Sequence, residues 1–283
     1  MIVSSPRPII LVTNDDGISA PGIKMLAEAL SPLGEVWVVA PEKTQNAVGR
    51  SMTLHKPLRL RSLKKRWYAV NGTPADCVTL AVCHLLPACL PKLVVSGINK
   101  GWNLGDDVTN SGTVAGAIEG MLHGIPSIAI SLEDLQKKCQ YAVAGHFAFL
   151  VAKRVLECGL PEETILNVNV PSRRLENIAG IQITCLSQRR YLNPVVEKTD
   201  PRGNRYFWIA GQRESWARGK HSDHDAVSNQ MVSISPLHLD LTDYSAMQAL
   251  KGWEKDLSAS TQPLQKPKLV SRKGKRRSAS NFS

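Results

Sequence analysis

The stretch PIILVTNDDGISAPGIKMLAEALSPLGEVWVVA, residues 8–40, decides the fold. Its apolar run at 8–13 reads as a buried strand. Residues 21–31 read as a helix with Pro21 in its first turn, and 35–40 as a second buried strand. Strand, helix and strand in that order imply a parallel sheet covered by helices. The alternation continues after a loop at 41–57 and a hairpin with a basic turn at 58–71. Residues 73–86 read as a helix, with Thr73 as N-cap, Pro74 in the first turn and Asp76 closing a capping box in place of Glu. Strands are expected at 92–96, 126–131 and 164–169, and helices at 112–123 and 139–158. The fold class is therefore α/β: a Rossmann-like, mostly parallel sheet with helices on both faces.

After about residue 172 the texture changes. Short β-like pieces at 179–186, 205–210 and 231–235 alternate with polar loops, and a short helix follows at about 242–253. This half reads as a C-terminal hairpin and helix appendage suited to assembly. There is no internal repeat.

The chain has 283 residues, is 43% hydrophobic and 21% charged, and so has room for a sizeable core. No apolar run approaches the roughly 20 residues that span a membrane. The N-terminus MIVSSPRPII has no signal-peptide pattern. The six cysteines (Cys77, Cys83, Cys89, Cys139, Cys158, Cys185) form no CxxC pair and read as reduced, mostly buried thiols of a cytoplasmic protein. The net charge of +11 raises a nucleic-acid reading. Seven of those charges lie in the tail, on Lys266, Lys268, Arg272, Lys273, Lys275, Arg276 and Arg277, leaving +4 elsewhere. Such a tail is expected to be disordered and to make at most weak nucleic-acid contact.

Three polar loops leave the C-terminal ends of expected strands: 13–19 (TNDDGIS), 41–51 (PEKTQNAVGRS) and 96–113 (SGINKGWNLGDDVTNSGT). Open α/β sheets bind ligands at that edge. Asp15 and Asp16 repel one another there. A hard divalent cation removes that cost, with Gly17 allowing a sharp turn beside it. An Asx-type turn with a helix cap is the alternative for the pair alone. In the third loop, Asn99 and Asn103 offer amide oxygens, while Asp106 and Asp107 read as turn residues, with metal ligation as the alternative. Ser111, Gly112 and Thr113 open a helix, where hydroxyls and backbone N–H groups suit a phosphate; an ordinary Ser/Thr cap is the alternative. A cation from one loop and a phosphate cradle from another suggest metal-assisted phosphoryl hydrolysis.

The segments ILVTNDDGISAPGI, VVAPEKTQNAVGRSMTLHKPLR, VNGTPADCV, VVSGINKGWNLGDDVTNSGTVAGAIEG and GIPSIAIS resemble those of the SurE survival-protein nucleotidases. LNVNVPS, TDPRGNRYFWIAG and VSISPLHLDLT extend the likeness over roughly residues 8–245. The resemblance implies a single domain at 1–255, with a core at about 8–170 and a hairpin and oligomerisation region at about 171–255. The basic tail at 256–283 lies outside it. Also implied are hydrolysis of nucleoside 5′-monophosphates, 3′-monophosphates and short polyphosphate, and a homodimer or homotetramer exchanging C-terminal elements. One divalent ion per subunit, Mg²⁺ or Mn²⁺, is implied on Asp15, Asp16 and Asn99, with catalysis by the same three residues. The family's remaining ligand, a serine, falls on Asn46, and a family tyrosine falls on Asn110.

The HSDH segment at 221–224 reads as a solvated loop, with a subunit-interface role as the sharper reading. Trp67, Tyr68, Tyr206, Phe207 and Trp208 read as core or interface packing, and Trp102 as lining a nucleotide pocket. Arg50 and Lys100 are candidates for neutralising a phosphate. Competing functions are a catalytically weak nucleotide- or RNA-binding protein and a dinucleotide-dependent oxidoreductase. The second is disfavoured because TNDDGISAPG lacks GxGxxG and puts two acids where a pyrophosphate needs N–H groups.

Overall fold

The computed structural model describes residues 7–134, 140–192, 195–209, 213–217 and 219–260. The first half runs β1 (Ile9–Thr13), α1 (Pro21–Leu30), β2 (Glu35–Pro41), β3 (Leu60–Lys64), β4 (Trp67–Val70), α2 (Pro74–Leu80) and β5 (Leu93–Lys100). Then come α3 (Gly112–Leu122), β6 (Ser127–Leu132), α4 (Tyr141–Cys158), β7 (Ile165–Val170) and β8 (Gly180–Ile183). β9 (Gln188–Leu192), β10 (Val195–Thr199), β11 (Arg205–Ile209), β12 (Arg213–Ala217), α5 (Asp223–Ser228) and β13 (Met231–Leu237) complete the first compact unit, which closes at Leu239.

Nine strands form one sheet in the order β3-β4-β2-β1-β5-β6-β7-β13-β8. From β4 to β7 every neighbouring pair is parallel. Alternate side chains of the central strands enter two cores, as the two-residue period dictates. Ile10, Val12, Val38 and Ala40 pack under α1 and α4; Leu11 and Val39 face the other layer, with Cys77 and Val78 of α2. Ile23, Leu26, Ala27 and Leu30 of α1 are buried at the three- and four-residue spacing of one helix face. On α2 the capping box is complete: Asp76 N–H donates to Thr73 Oγ1 at 3.2 Å and Thr73 N–H to Asp76 Oδ2 at 2.9 Å. α3 lies close on the sheet because Gly112, Gly116 and Gly120 recur every fourth residue. A Cβ at Gly116 would sit 2.8 Å from Ser96 Oγ, and one at Gly120 2.4 Å from Ser127 Oγ.

β1 lies between β2 and β5, so successive crossovers leave it in opposite directions and open a crevice at its C-terminal end. This is where the NDDG turn sits.

Several expectations are corrected. The pieces near 179–186 and 231–235 are not an appendage: β13 pairs antiparallel with β7, and β8 pairs with β13, extending the main sheet. Outside that sheet lies a ribbon in which β9 pairs with β12 and β10 with β11. The strand expected at 92–96 continues to Lys100, so Asn99 stands on a strand rather than in a loop. A bulge between Ser96 and Asn99, where the Gly97–Ile98 peptide is cis, gives the loop-like sequence its place in the ladder. HSDH is not a solvated loop: Ser222 caps α5 and Asp223 is fully buried. Of the cysteines, only Cys77 is buried among those described; Cys83, Cys89, Cys158 and Cys185 are exposed, because an apolar neighbourhood in sequence does not say which face a residue takes. Cys139 lies outside the described residues.

A second compact unit begins at Asp240. The helix expected at 242–253 is two, α6 (Tyr244–Leu250), capped by Asp243, and α7 (Trp253–Ser260). Residues 256–260, assigned to the disordered tail, are the end of α7. The basic stretch beyond them, with the nucleic-acid contact expected of it, lies outside the described residues. Among the described residues no helix is long and apolar enough to cross a membrane.

Candidate functional site

The site grows from the turn after β1. Asn14 Nδ2 donates to Gly17 O at 3.0 Å, and Ile18 N–H donates to Pro41 O at 2.8 Å, fastening the turn to the end of β2. Asp15 is 5% exposed, and Asp16 is half-buried beside it. The Thr113 hydroxyl donates to Asp15 Oδ1 at 2.6 Å, and Lys100 N–H donates to Asp16 Oδ2 at 3.1 Å. The ends of β1 and β5 and the start of α3 thus meet at these two carboxylates, and the end of β2 holds the turn that carries them.

The second loop is anchored on the same pair. Gln45 N–H donates to Asp15 O at 2.7 Å, and Thr44 Oγ1 to Asp16 O at 3.1 Å. Further on, Gly49 N–H donates to Asn110 O at 3.0 Å. Asn46 is exposed on the short span between these anchors. On β5, Asn99 Nδ2 donates to Gly101 O at 2.9 Å, which leaves Oδ1 as the free end of that amide.

At the start of α3, Ser111 Oγ accepts from Val114 N–H at 3.1 Å, so it serves as the helix cap. Thr113 is fully buried and its hydroxyl is committed to Asp15. Gly112 is the residue that admits the carboxylate: a Cβ there would lie 2.8 Å from Asp15 Cβ and 3.0 Å from Asp15 Oδ2. Both hydroxyls of this segment are thus engaged within the protein, which leaves backbone N–H groups of the first helical turn as its candidate anion donors.

The other candidates take distinct places. The Lys100 ammonium pairs with Asp134 at 3.5 Å, and Arg50 is exposed. Trp102 Nε1 donates to Val170 O at 3.0 Å, tethering the indole to the end of β7. Asp106 and Asp107 lie in the 3-10 turn Gly105–Thr109. Asn103 is built into a buried network: its Nδ2 donates to Ser131 Oγ at 2.7 Å, and Asn167 and Asn169 donate to its carbonyl at 2.9 and 3.1 Å. That network, and the direct bond from Thr113 to Asp15, were not read from sequence. The alternating Asn167 and Asn169 in ILNVNV were the available signal.

Electrostatically both carboxyls of the pair sit above their ordinary range. Burial pushes the Asp15 carboxyl up to about 6, with the Thr113 hydrogen bond opposing and the Asp16 charge adding to the rise. Burial also raises Asp16, against the Lys100 N–H and ammonium. Asn14 Oδ1 is buried with no hydrogen-bond partner among the described residues. Two adjacent carboxylates held above their ordinary range, with amide oxygens on the adjoining segments, fit a hard divalent cation. Among the described residues no group of three or more His, Cys, Asp and Glu could hold a metal, so a site here needs neutral oxygens to complete it.

The family model described as survival protein SurE matches residues 10–193. The 5′-nucleotidase SurE of Pelobacter propionicus is 50% identical over 244 residues, 86% of this chain and 98% of its own. That of Geobacter sulfurreducens is 49% identical over 250 residues, 88% of this chain and 94% of its own. The crystal structure of the SurE protein from Aquifex aeolicus superposes with a TM-score of 0.80 at 45% identity, covering 87% of this chain and all of that one.

Proposed function

The chain belongs to the SurE family, and we propose on that basis and on its site that it is a metal-dependent 5′-nucleotidase releasing phosphate from nucleoside 5′-monophosphates. The observation that carries this reading is the buried Asp15–Asp16 pair at the C-terminal edge of the sheet, beside the first turn of α3. In this proposal Asp15, Asp16, Asn46 and Asn99 hold one Mg²⁺ or Mn²⁺ per subunit. Asn46 stands in for a serine, offering an amide oxygen that is neutral like the hydroxyl. When bound, the cation supplies polarisation of the phosphoryl group and a lowered pKa for water.

The rest is done by the chain. Thr113 holds Asp15 at Oδ1, and the Lys100 N–H holds Asp16 at Oδ2, so one oxygen of each carboxylate is left for the ion or for a water proton. In the first turn of α3 the Gly112 N–H receives the phosphate, while the backbone N–H and the hydroxyl of Thr113 both act on Asp15. The tethered Trp102 forms a wall for the nucleoside. 3′-Monophosphates and short polyphosphate belong to the same proposal as further substrates.

Assembly is proposed as a homodimer or homotetramer through the ribbon, on which Phe207, Trp208 and Ile209 are exposed at 58%, 60% and 89%. A reducing, cytoplasmic setting suits the five described cysteines, all unpaired.

The direct test is phosphate release from a panel of 5′- and 3′-nucleoside monophosphates with Mg²⁺, Mn²⁺ or EDTA. Release from 5′-monophosphates that stops in EDTA is expected; folded protein that releases none with any metal overturns the reading.

Two further outcomes follow from the local geometry. Thr113→Val keeps the side-chain shape and removes the donor to Asp15, so Mn²⁺ affinity should fall about 10- to 100-fold; an unchanged titration would remove Thr113 from the site. Protons compete with the ion for Asp15, whose carboxyl titrates near 6 when metal-free. Because that value is raised, Mn²⁺ affinity should be nearly flat above neutral pH and fall about tenfold per unit as pH drops below it. A titration flat down to pH 5 would place the ion elsewhere.

A further inference from the structure

Asp223 is fully buried at the first position of α5, in the segment HSDH, far along the chain from the carboxylate pair. Three backbone N–H groups converge on it. Gly105 donates to Oδ2 at 2.8 Å, Ser187 to Oδ1 at 2.9 Å, and its neighbour His224 to Oδ1 at 2.7 Å. Each donor belongs to a different piece of structure. Gly105 opens the 3-10 turn Gly105–Thr109, which runs into Asn110 and the cap of α3. Ser187 immediately precedes β9, at the root of the ribbon. His224 is in α5 itself.

The joint is close as well as hydrogen-bonded. Gly105 has φ +52, and a Cβ on it would lie 2.3 Å from Ser187 O. A carboxylate is suited to the place because its two oxygens accept all three N–H groups, where an amide offers one acceptor oxygen and an NH₂. Beyond Gly105 the turn is fastened by the Gly49 N–H to Asn110 O bond, which also carries the Asn46 loop.

We infer that Asp223 is a positioning residue for phosphate hydrolysis: by fixing Gly105 it sets where the 3-10 turn delivers the first turn of α3, and it ties that turn to the ribbon root. The inference rests on the proposed nucleotidase reading. Asp223 does not touch the Asp15–Asp16 pair, and Thr113, which does, is independently buried against it. Loosening the joint therefore disturbs phosphate recognition more than cation binding, because three of the four proposed ligands, Asp15, Asp16 and Asn99, lie at the ends of β1 and β5 outside the 3-10 turn.

The test is Asp223→Asn. Its oxygen can keep Ser187 and His224, and its NH₂ then faces the Gly105 N–H, so the loop bond is the one lost. Three readouts are taken on the full chain: steady-state kinetics on a nucleoside 5′-monophosphate with Mn²⁺, Mn²⁺ titration, and amide hydrogen exchange. KM is expected to rise at least about tenfold, kcat to change less, and Mn²⁺ affinity to stay within about twofold, on the scale that a small displacement of a positioning element produces. Exchange is expected to quicken at 105–113 and to stay unchanged in β6 and β7. Wild-type kinetics with wild-type exchange at 105–113 would overturn the inference. So would a loss of Mn²⁺ affinity in step with kcat/KM and faster exchange throughout the sheet, which is what a merely structural residue gives.

If Asp223→Asn does not fold, Gly105→Ala breaks the same joint from the loop side, and the same signature is expected of it. A wild-type chain that hydrolyses nothing would sink the nucleotidase reading instead. The exchange pattern at 105–113 would still report whether Asp223 holds the loop.

Discussion

Asp15→Asn should lower nucleotidase activity by more than about 100-fold and, in the same protein without metal, raise stability. The activity loss exceeds what removing an outer partner of a ligand costs, which is itself about 10- to 100-fold. The stability gain comes from the opposite side of the same fact. Asp15 is buried, and its carboxyl is raised from 3.8 to about 6, so ionising it in the folded state at neutral pH is unfavourable by on the order of 2–3 kcal/mol. Asparagine occupies the same space, accepts the Thr113 hydroxyl bond and carries no charge. The sign with pH follows. A carboxyl raised in the folded state destabilises above its folded value, and the penalty is relieved as pH falls through about 6 toward 3.8. The difference between variant and wild type should therefore be largest above pH 7 and close near pH 4. Thermal unfolding in EDTA across that range measures it, with an expected rise in Tm of roughly 5–10 °C at neutral pH. A variant no more stable than wild type at pH 7 would mean that Asp15 is compensated by something other than an ion.

Gly97→Ala should be the most damaging single methyl in the region, lowering stability by about 3 kcal/mol or more. Gly97 has φ +142, which a side chain rarely adopts, and a Cβ there would lie 2.3 Å from Ile130 O and 2.8 Å from Ile130 Cγ2. The obstacle on one side is the backbone of β6, paired with β5 on both sides of the bulge, so it cannot swing aside. The residue two positions on is Asn99, and the next is Lys100, whose N–H holds Asp16. Denaturant unfolding should therefore show the loss of stability, and Mn²⁺ affinity should fall with it. Alanine tolerated within 1 kcal/mol, as an order of magnitude, would show that the bulge relaxes more freely than its packing implies.

What the sequence revealed was what is local. The strand–helix–strand period at 8–40, Pro21 at the head of α1 and the Thr73–Asp76 box are each specified within a few residues, and each is where it was expected. The adjacency of Asp15 and Asp16 is legible for the same reason. The misreadings are of long-range pairing. Residues 231–237 carry an alternation that suits a free hairpin or a sheet strand equally, and only β7 decides between them. HSDH looks solvated because it is polar, yet Asp223 is satisfied by Gly105 and Ser187, 118 and 36 residues away. The bond made by Thr113 was out of reach for the same reason: a hydroxyl at a helix start suggests a phosphate, while its hydrogen-bond partner is a carboxylate 98 residues earlier. In the family resemblance these distant partners were implicit, since the quoted motifs come from the segments that meet at the site.

A nucleotidase that depends on the Asp15–Asp16 pair needs both the metal and the Asp15 carboxylate. The most direct measurement is phosphate release from a nucleoside 5′-monophosphate by metal-stripped protein as Mn²⁺ is titrated in, with Asp15→Asn run in parallel. Expected are no release at the start, a rise that saturates at one ion per chain, and a flat line for the variant. Equal release by the variant, or undiminished release by the wild type in EDTA, would contradict that dependence.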